Sequence, residues 1–218
     1  MTPFLELRDV VFSYDDGNFV LKGVNLNLLP GGKVGIMGPN GSGKTTLFRI
    51  ITGLDKPSGG EILFRGKPVK GDRKTLSELR KDVGYLFQDP DDQLFCPTLL
   101  EDVAFGPLNL GLSPQAAREK AFQTLRLFSM EHLADKPPHT LSGGQKRLGA
   151  LAAVLAMEPR VLLLDEPTGD LGKNAMKSLE RLLRSEMATF LIASHDEEFL
   201  SKVTNRKYCL DEGRLLPL

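Results

Sequence analysis

Apolar and polar positions alternate along the first thirty residues, and the two-residue period returns over about residues 60 to 70. Successive side chains on a strand face opposite ways, so this pattern predicts half-buried strands. Asp16-Gly17 and Pro57-Ser58-Gly59-Gly60 carry turn signals between them, which makes this an antiparallel β portion. Four shorter apolar runs also read as strands: Lys33–Met37, Val83–Gln88, Arg160–Asp165 and Thr189–Ser194. Arg160–Asp165 (RVLLLD) fits a central parallel strand covered on both faces. Lys44–Ile51 reads as a helix, and Pro97–Met130 as helical, with Pro114 at a helix start and apolar residues at helical spacing over 116–128. Lys136-Pro137-Pro138 then breaks the chain before a helix through Lys146–Met157. The class is α/β.

Between the strand at 33–37 and the helix at 44–51 lies GPNGSGKT, from Gly38 to Thr45. Glycine permits positive φ and close backbone approach, so Gly38, Gly41 and Gly43 let successive N–H groups converge on an anion. The following helix adds its positive end. Lys44 then places a charge against the β- and γ-phosphates of a nucleotide, and the Thr45 hydroxyl is set to ligate Mg²⁺. Asn40 and Ser42 of the same loop, and Thr46 at the start of the helix behind it, complete the candidate nucleotide contacts. A glycine-rich turn that binds nothing is the plain alternative. The complete G-x-x-x-x-G-K-T in a strand-to-helix context argues against it.

Transfer of a phosphoryl group to water needs a metal ligand and a base. Asp165, at the carboxyl end of a buried strand, is the expected metal partner, and Glu166 beside it the expected general base. A pair of solvated acids at a strand end is the bland reading. Gln88 ends another strand-like run, where its amide oxygen could reach the metal or the lytic water; His195 follows a third and could donate to the γ-phosphate. Alone each is a weak signal, and only the neighbouring motifs raise it.

About a hundred residues after the cradle comes LSGGQ, Leu141 to Gln145. Ser142 supplies an N-cap hydroxyl, Gly143 and Gly144 expose backbone N–H groups, and the helix behind aims its positive end outward. The order GPNGSGKT, Gln88, LSGGQ, VLLLDEP and Ser194-His195-Asp196 resembles the nucleotide-binding subunit of ABC transporters across nearly the whole chain. The resemblance implies a P-loop NTPase core with a mixed parallel sheet, an N-terminal antiparallel β subdomain and an inserted α-helical subdomain. It implies one domain over 1–218, with the nucleotide-binding core at 1–88 and 158–218 and the helical subdomain at about 89–157. It also implies two copies facing head to tail, each ATP held between one cradle and the Ser142, Gly143, Gly144 and Gln145 of the other. Tyr14 would stack on adenine, although from pattern alone a core aromatic is equally good.

Asp89 to Leu112 and Leu141 to Pro159 are similar to the ATPases of energy-coupling factor importers, which take up transition-metal ions and vitamins. In that group the first segment carries motion to an integral membrane subunit, through a groove that receives a short coupling helix. Asp89, Asp91 and Asp92 would form an acidic patch for basic residues there; a solvated acidic turn is the alternative. Family members usually have Leu-Asp where this chain has Leu171-Gly172, and Asp170 stands two residues early. That departure is expected to loosen cross-site communication or slow hydrolysis.

Composition narrows the partners. Lys+Arg 28 balance Asp+Glu 28, so no global basic field recruits nucleic acid or anionic lipid. Apolar stretches fall short of a membrane span, and the N-terminus lacks a signal pattern. The expectation is a peripheral protein at the cytoplasmic face of the membrane, with Cys96 and Cys209 as free thiols. The early end of the chain implies that it lacks the C-terminal extension of many relatives. A soluble ABC ATPase acting on nucleic acid or ribosomes is the runner-up, and a degenerate nucleotide sensor the third reading. A single cradle without basic tracts disfavours the former; Lys44, Thr45, Asp165 and Glu166 together disfavour the latter.

Overall fold

A computed structural model describes residues 2–14, 17–185 and 188–218. The alternating stretches form a four-stranded antiparallel sheet in the order β2-β1-β4-β5, from β1 Leu5–Ser13, β2 Phe19–Leu28, β4 Gly59–Phe64 and β5 Lys67–Pro68. Asp16, half of one expected turn signal, lies outside the described residues. Leu5, Leu7, Val10 and Phe12 are buried from β1; the alternation slips by one residue between Leu7 and Val10, where Asp9 stands at φ +48° and the pairing with β2 shifts register.

The four apolar runs, with two further strands that the pattern did not mark, form a six-stranded sheet in the order β10-β9-β3-β8-β7-β6. Its parallel strands are β3 Lys33–Met37, β6 Val83–Leu86, β7 Val161–Asp165, β8 Phe190–Ala193 and β9 Arg206–Asp211; β10 Arg214–Pro217 returns antiparallel. Every residue of β7 is buried. Val161 and Leu163 join a core with Ile36, Phe48 and Leu191 beneath the antiparallel sheet and α1 Lys44–Ile51. Leu162 and Leu164 join the opposite core with Leu99, Leu151 and Phe199. At about 1.5–3 kcal/mol for each large apolar side chain removed from water, this double burial holds β7 between the two layers, although it lies next to the β6 edge and is not the central strand its apolar run suggests.

The helical stretch divides in two. α3 Leu99–Asn109 opens with a capping box between Thr98 and Glu101, and α4 Pro114–Arg126 opens on Ser113. Gly111, at φ +98°, turns the chain between them. α5 begins at Gly143 rather than Lys146 and runs to Leu155, so the glycines of LSGGQ are already helical. α6 Lys173–Arg184 and α7 Glu197–Val203 complete the second layer.

Three helices were not read from the pattern, α6, α7 and α2; the last of these, Arg73–Asp82, starts where the Asp72 carboxylate accepts from the Lys74 and Thr75 N–H groups at 2.9 and 3.0 Å. Only Leu79 of it is buried, so charged residues hide its period.

Candidate active site

β3, β7 and β8 are parallel neighbours, so the residues that follow them emerge at one edge of the sheet. After β3 comes the cradle. Gly38 passes so close to β9 that a Cβ would stand 2.3 Å from the Leu210 carbonyl oxygen, and Gly43 holds φ +103° with Val20 Cγ1 2.8 Å from where a Cβ would be. No other residue type fits those two positions. Lys44 is buried at the start of α1, its Nζ donating to the Gly38 and Pro39 carbonyls at 2.7 and 3.0 Å. The ammonium is thus held on its own loop, and a phosphate there would compete for it. Ser42 Oγ is buried with no hydrogen-bond partner among the described residues.

The Thr45 hydroxyl donates to Asp165 Oδ2 at 2.6 Å and meets Gln88 Oε1 at 3.3 Å. Three segments far apart in sequence therefore meet on a set of oxygen atoms. Asp165 is 1% exposed, and burial raises its carboxyl above the ordinary aspartate value despite the opposing Thr45 hydrogen bond. Tyr85, unnoticed in the sequence, lies against Asp165 Oδ2 at 3.4 Å; burial drives its phenol well above the usual range. Gln88 lies two residues beyond β6 and His195 two beyond β8, so neither sits on a strand.

Glu166 follows β7 in a left-handed conformation, φ +47°, with its N–H bonded to the Ala193 carbonyl at 2.8 Å. Strain of this kind in a residue other than glycine gathers at functional sites. It turns the carboxylate toward His195, whose Nδ1 lies 2.9 Å from Glu166 Oε2. A cavity of about 330 Å³ opens among Tyr14, Asn40, Gly41, Thr46, Gln88 and Glu166. Tyr14 has left the core: its ring is exposed at the cavity mouth, its hydroxyl bonded to Thr46 Oγ1 at 3.0 Å and its ring edge-on to Phe12.

LSGGQ lies apart from this cavity. Ser142 and Gln145 form a capping box, the Ser142 N–H donating to Gln145 Oε1 at 2.9 Å and the Gln145 N–H to Ser142 Oγ at 3.4 Å. The motif lines a separate open cavity of about 580 Å³ together with Asp170 and Gly172. A Cβ on Gly143 would stand 3.0 Å from Asp170 Oδ2, so that loop packs directly over the helix start.

Asp89, Asp91 and Asp92, expected to form an acidic patch, are all exposed, and part of their charge is answered within the chain. Asp91 is ion-paired to Lys146, and the Asp89 carboxylate accepts from the Asp91 N–H at 2.9 Å. The cysteines are free thiols, Cys96 pushed up to about 12 chiefly by burial.

A family model described as ABC transporter matches residues 21–169. The chain belongs to the ABC transporter family. This ABC ATPase is 44% identical over 215 residues to the energy-coupling factor transporter ATP-binding protein EcfA of Methanocaldococcus jannaschii, covering 97% of this chain and 77% of the relative. A putative ABC transporter ATP-binding protein of Nitratidesulfovibrio vulgaris is 49% identical over 212 residues, with the same coverages. Among solved structures, cbiO1 from Clostridium perfringens, part of the ABC transporter complex cbiONQ, superposes with TM-score 0.83 at 40% identity, over 99% of this chain and 88% of that one. The ATP-binding cassette MJ0796, solved as a dimer in a post-hydrolysis state with ADP and Pi, superposes with TM-score 0.86 at 32% identity, over 97% of this chain and 96% of that one. The fold is that of the ABC ATPase. No helix among the described residues is long and apolar enough to cross a membrane.

Proposed function

We propose that the chain hydrolyses ATP to drive solute uptake by an importer of the energy-coupling factor type, working as a head-to-tail pair at the cytoplasmic face of the membrane beside an integral membrane subunit. The observation that carries this reading is the meeting of Thr45, Gln88 and Asp165 next to the Glu166–His195 pair. Hydroxyl, amide and carboxylate oxygens are the donors Mg²⁺ prefers, so these three residues fit that ion. When bound, Mg²⁺ would neutralise charge on the β- and γ-phosphates.

The protein's own groups supply the rest. Backbone N–H groups of the cradle and Lys44 hold the phosphates, and Tyr14 lies where an adenine could stack. Glu166 takes a proton from water as the water oxygen attacks the γ-phosphorus; the bond to the bridging oxygen breaks and ADP leaves with the electron pair. His195 holds the Glu166 carboxylate in line through Nδ1, leaving Nε2 on the far edge of the ring for the γ-phosphate. Ser142, Gly143 and Gly144 of a second copy close over the same phosphate, so a lone copy hydrolyses slowly. Core segments 1–88 and 158–218 act as the nucleotide-binding body and about 89–157 as the helical arm that bears on the membrane subunit.

The cargo is a transition-metal ion such as cobalt or nickel, or a vitamin, chosen by the membrane partner; among the described residues no cluster of His, Cys, Asp or Glu could hold a metal. Support comes from the likeness to EcfA and cbiO1. The test is ATPase activity with and without the candidate membrane subunit, beside Glu166→Gln. Partner stimulation that the substitution abolishes, with ATP trapping a dimer, is the expected result. Robust activity without a partner, or activity indifferent to Glu166, overturns it.

A further inference from the structure

β6 runs parallel beside β7, with Tyr85 opposite Leu163 and Leu86 opposite Leu164. Val83 and Tyr85 face the core beneath α1, whereas Leu86 faces the helical layer. Alternation puts Asp165 on the same face of the sheet as Leu163, so Tyr85 and Asp165 are diagonal neighbours on adjacent strands. A long side chain spans that diagonal, and of the four residues of β6 Tyr85 alone has a polar group at its tip.

The ring is fixed from two sides. It meets Phe48 edge-on at 5.9 Å between centroids, and Phe87 at 4.6 Å with the planes at 61°. Its hydroxyl stands 3.4 Å from Asp165 Oδ2, the oxygen to which Thr45 donates at 2.6 Å. A phenol keeps its proton at neutral pH and an ionised carboxylate only accepts, so Tyr85 is the donor. Two hydroxyls thus address Oδ2, and among the described residues no hydrogen bond reaches Oδ1. Asp165 lines the nucleotide cavity, whereas Tyr85 lines a separate cavity of about 870 Å³ with Leu54 and Phe87. The tyrosine therefore reaches the acid from outside the nucleotide cavity.

We propose that Tyr85 is a positioning residue for the cation: together with Thr45 it pins Oδ2 of Asp165, so that the carboxylate is held in one rotation with Oδ1 left for the metal. This rests on the reading of Asp165 as a Mg²⁺ ligand given above. One donor alone lets the carboxylate swing about that single bond, whereas two donors from different elements, α1 and β6, fix its plane. The competing account is that Tyr85 only fills space between Phe48 and Phe87. Phenylalanine decides between them, because it keeps the ring and both aromatic contacts and removes only the hydroxyl.

The experiment uses the full chain and compares the parent with Tyr85→Phe, Tyr85→Leu, Asp165→Asn and the double variant of Tyr85→Phe with Asp165→Asn. Affinity for a fluorescent, non-hydrolysable ATP analogue is measured without divalent cation and with Mn²⁺ standing in for Mg²⁺; the ratio of the two reports how firmly the protein holds the metal. Tm is recorded beside it. Tyr85→Phe is expected to leave the cation-free affinity within about twofold of the parent and to cut the Mn²⁺ enhancement about fivefold. Tyr85→Leu should cut the enhancement as much and also lower Tm, since it gives up the ring. In the Asp165→Asn chain, whose enhancement is already reduced, Tyr85→Phe should change it by less than about 1.5-fold. An enhancement untouched by Tyr85→Phe, or a fivefold loss that persists in the Asp165→Asn background, overturns the assignment. A parent whose affinity does not rise with Mn²⁺ removes the metal reading of Asp165 itself, and the role of Tyr85 with it.

Discussion

The Thr45 hydroxyl donates to Asp165 Oδ2 at 2.6 Å, tying the first turn of α1 to the last residue of β7 across 120 positions of sequence. That carboxyl is buried and its proton affinity is raised, so without a cation it weighs on the fold once ionised. The folded state holds its proton more tightly than the unfolded chain, so this group's contribution falls as pH rises from the unfolded value of 3.8 through the raised folded value. Asp165→Asn is therefore expected to raise the nucleotide-free Tm at pH 7 by about 2–4 °C. The gain should vanish toward pH 4, and ATPase activity should be lost. Calorimetry across pH checks the sign; a lower Tm at pH 7 contradicts it.

Gly43→Ala places a methyl group 2.8 Å from Val20 Cγ1 at φ +103°. Strain and overlap together should cost about 1–3 kcal/mol and weaken ATP binding, measured by urea unfolding and nucleotide titration. Gly41→Ala, at φ +79° with nothing within 4 Å, should cost less. Equal losses would deny the role assigned to the Val20 contact.

Ser142→Ala removes one side of the α5 capping box and should cost about 1 kcal/mol of stability. Activity should fall by far more than folding does, while ATP affinity of the single chain holds. Parallel losses in all three would mean that Ser142 only starts a helix.

Gly172 caps α6 with φ −69°, ψ 162° and open space around its Cα. An aspartate there can accept from the first N–H groups of α6, so Gly172→Asp should stabilise by a few tenths of a kcal/mol. Paired with Asp170→Gly, which relieves a residue at φ +57°, it should raise the ATPase rate or cooperativity of the assembled complex. No change in either measurement rejects a functional cost of the departure at 172.

The cradle, β7 and the Asp165–Glu166 pair were legible because each needs a local string: glycines between strand and helix, or five apolar residues ending in acid. The two-residue period likewise announced β1 and β2. Tyr85 was not legible, since it matters through a contact with a residue distant in sequence and carries no spacing of its own. α2, α6 and α7 were not read at all; in α2 the stripe is narrow, with Leu79 buried and Leu76 packed beside it among charged residues. The pairing of Asp91 with Lys146 was not legible either, because the two lie 55 positions apart.

β7 serves two masters at once and ends in a third duty, with Val161 and Leu163 facing one core, Leu162 and Leu164 the other, and Asp165 in the site. Evolution therefore has almost no latitude along these five residues: a change of volume at any of the four apolar positions disturbs one layer directly and re-aims the acid at the tip. Sequence drift among descendants of this chain should accordingly collect elsewhere, at exposed positions such as Lys74 and Ser77 of α2, whose side chains fill no core.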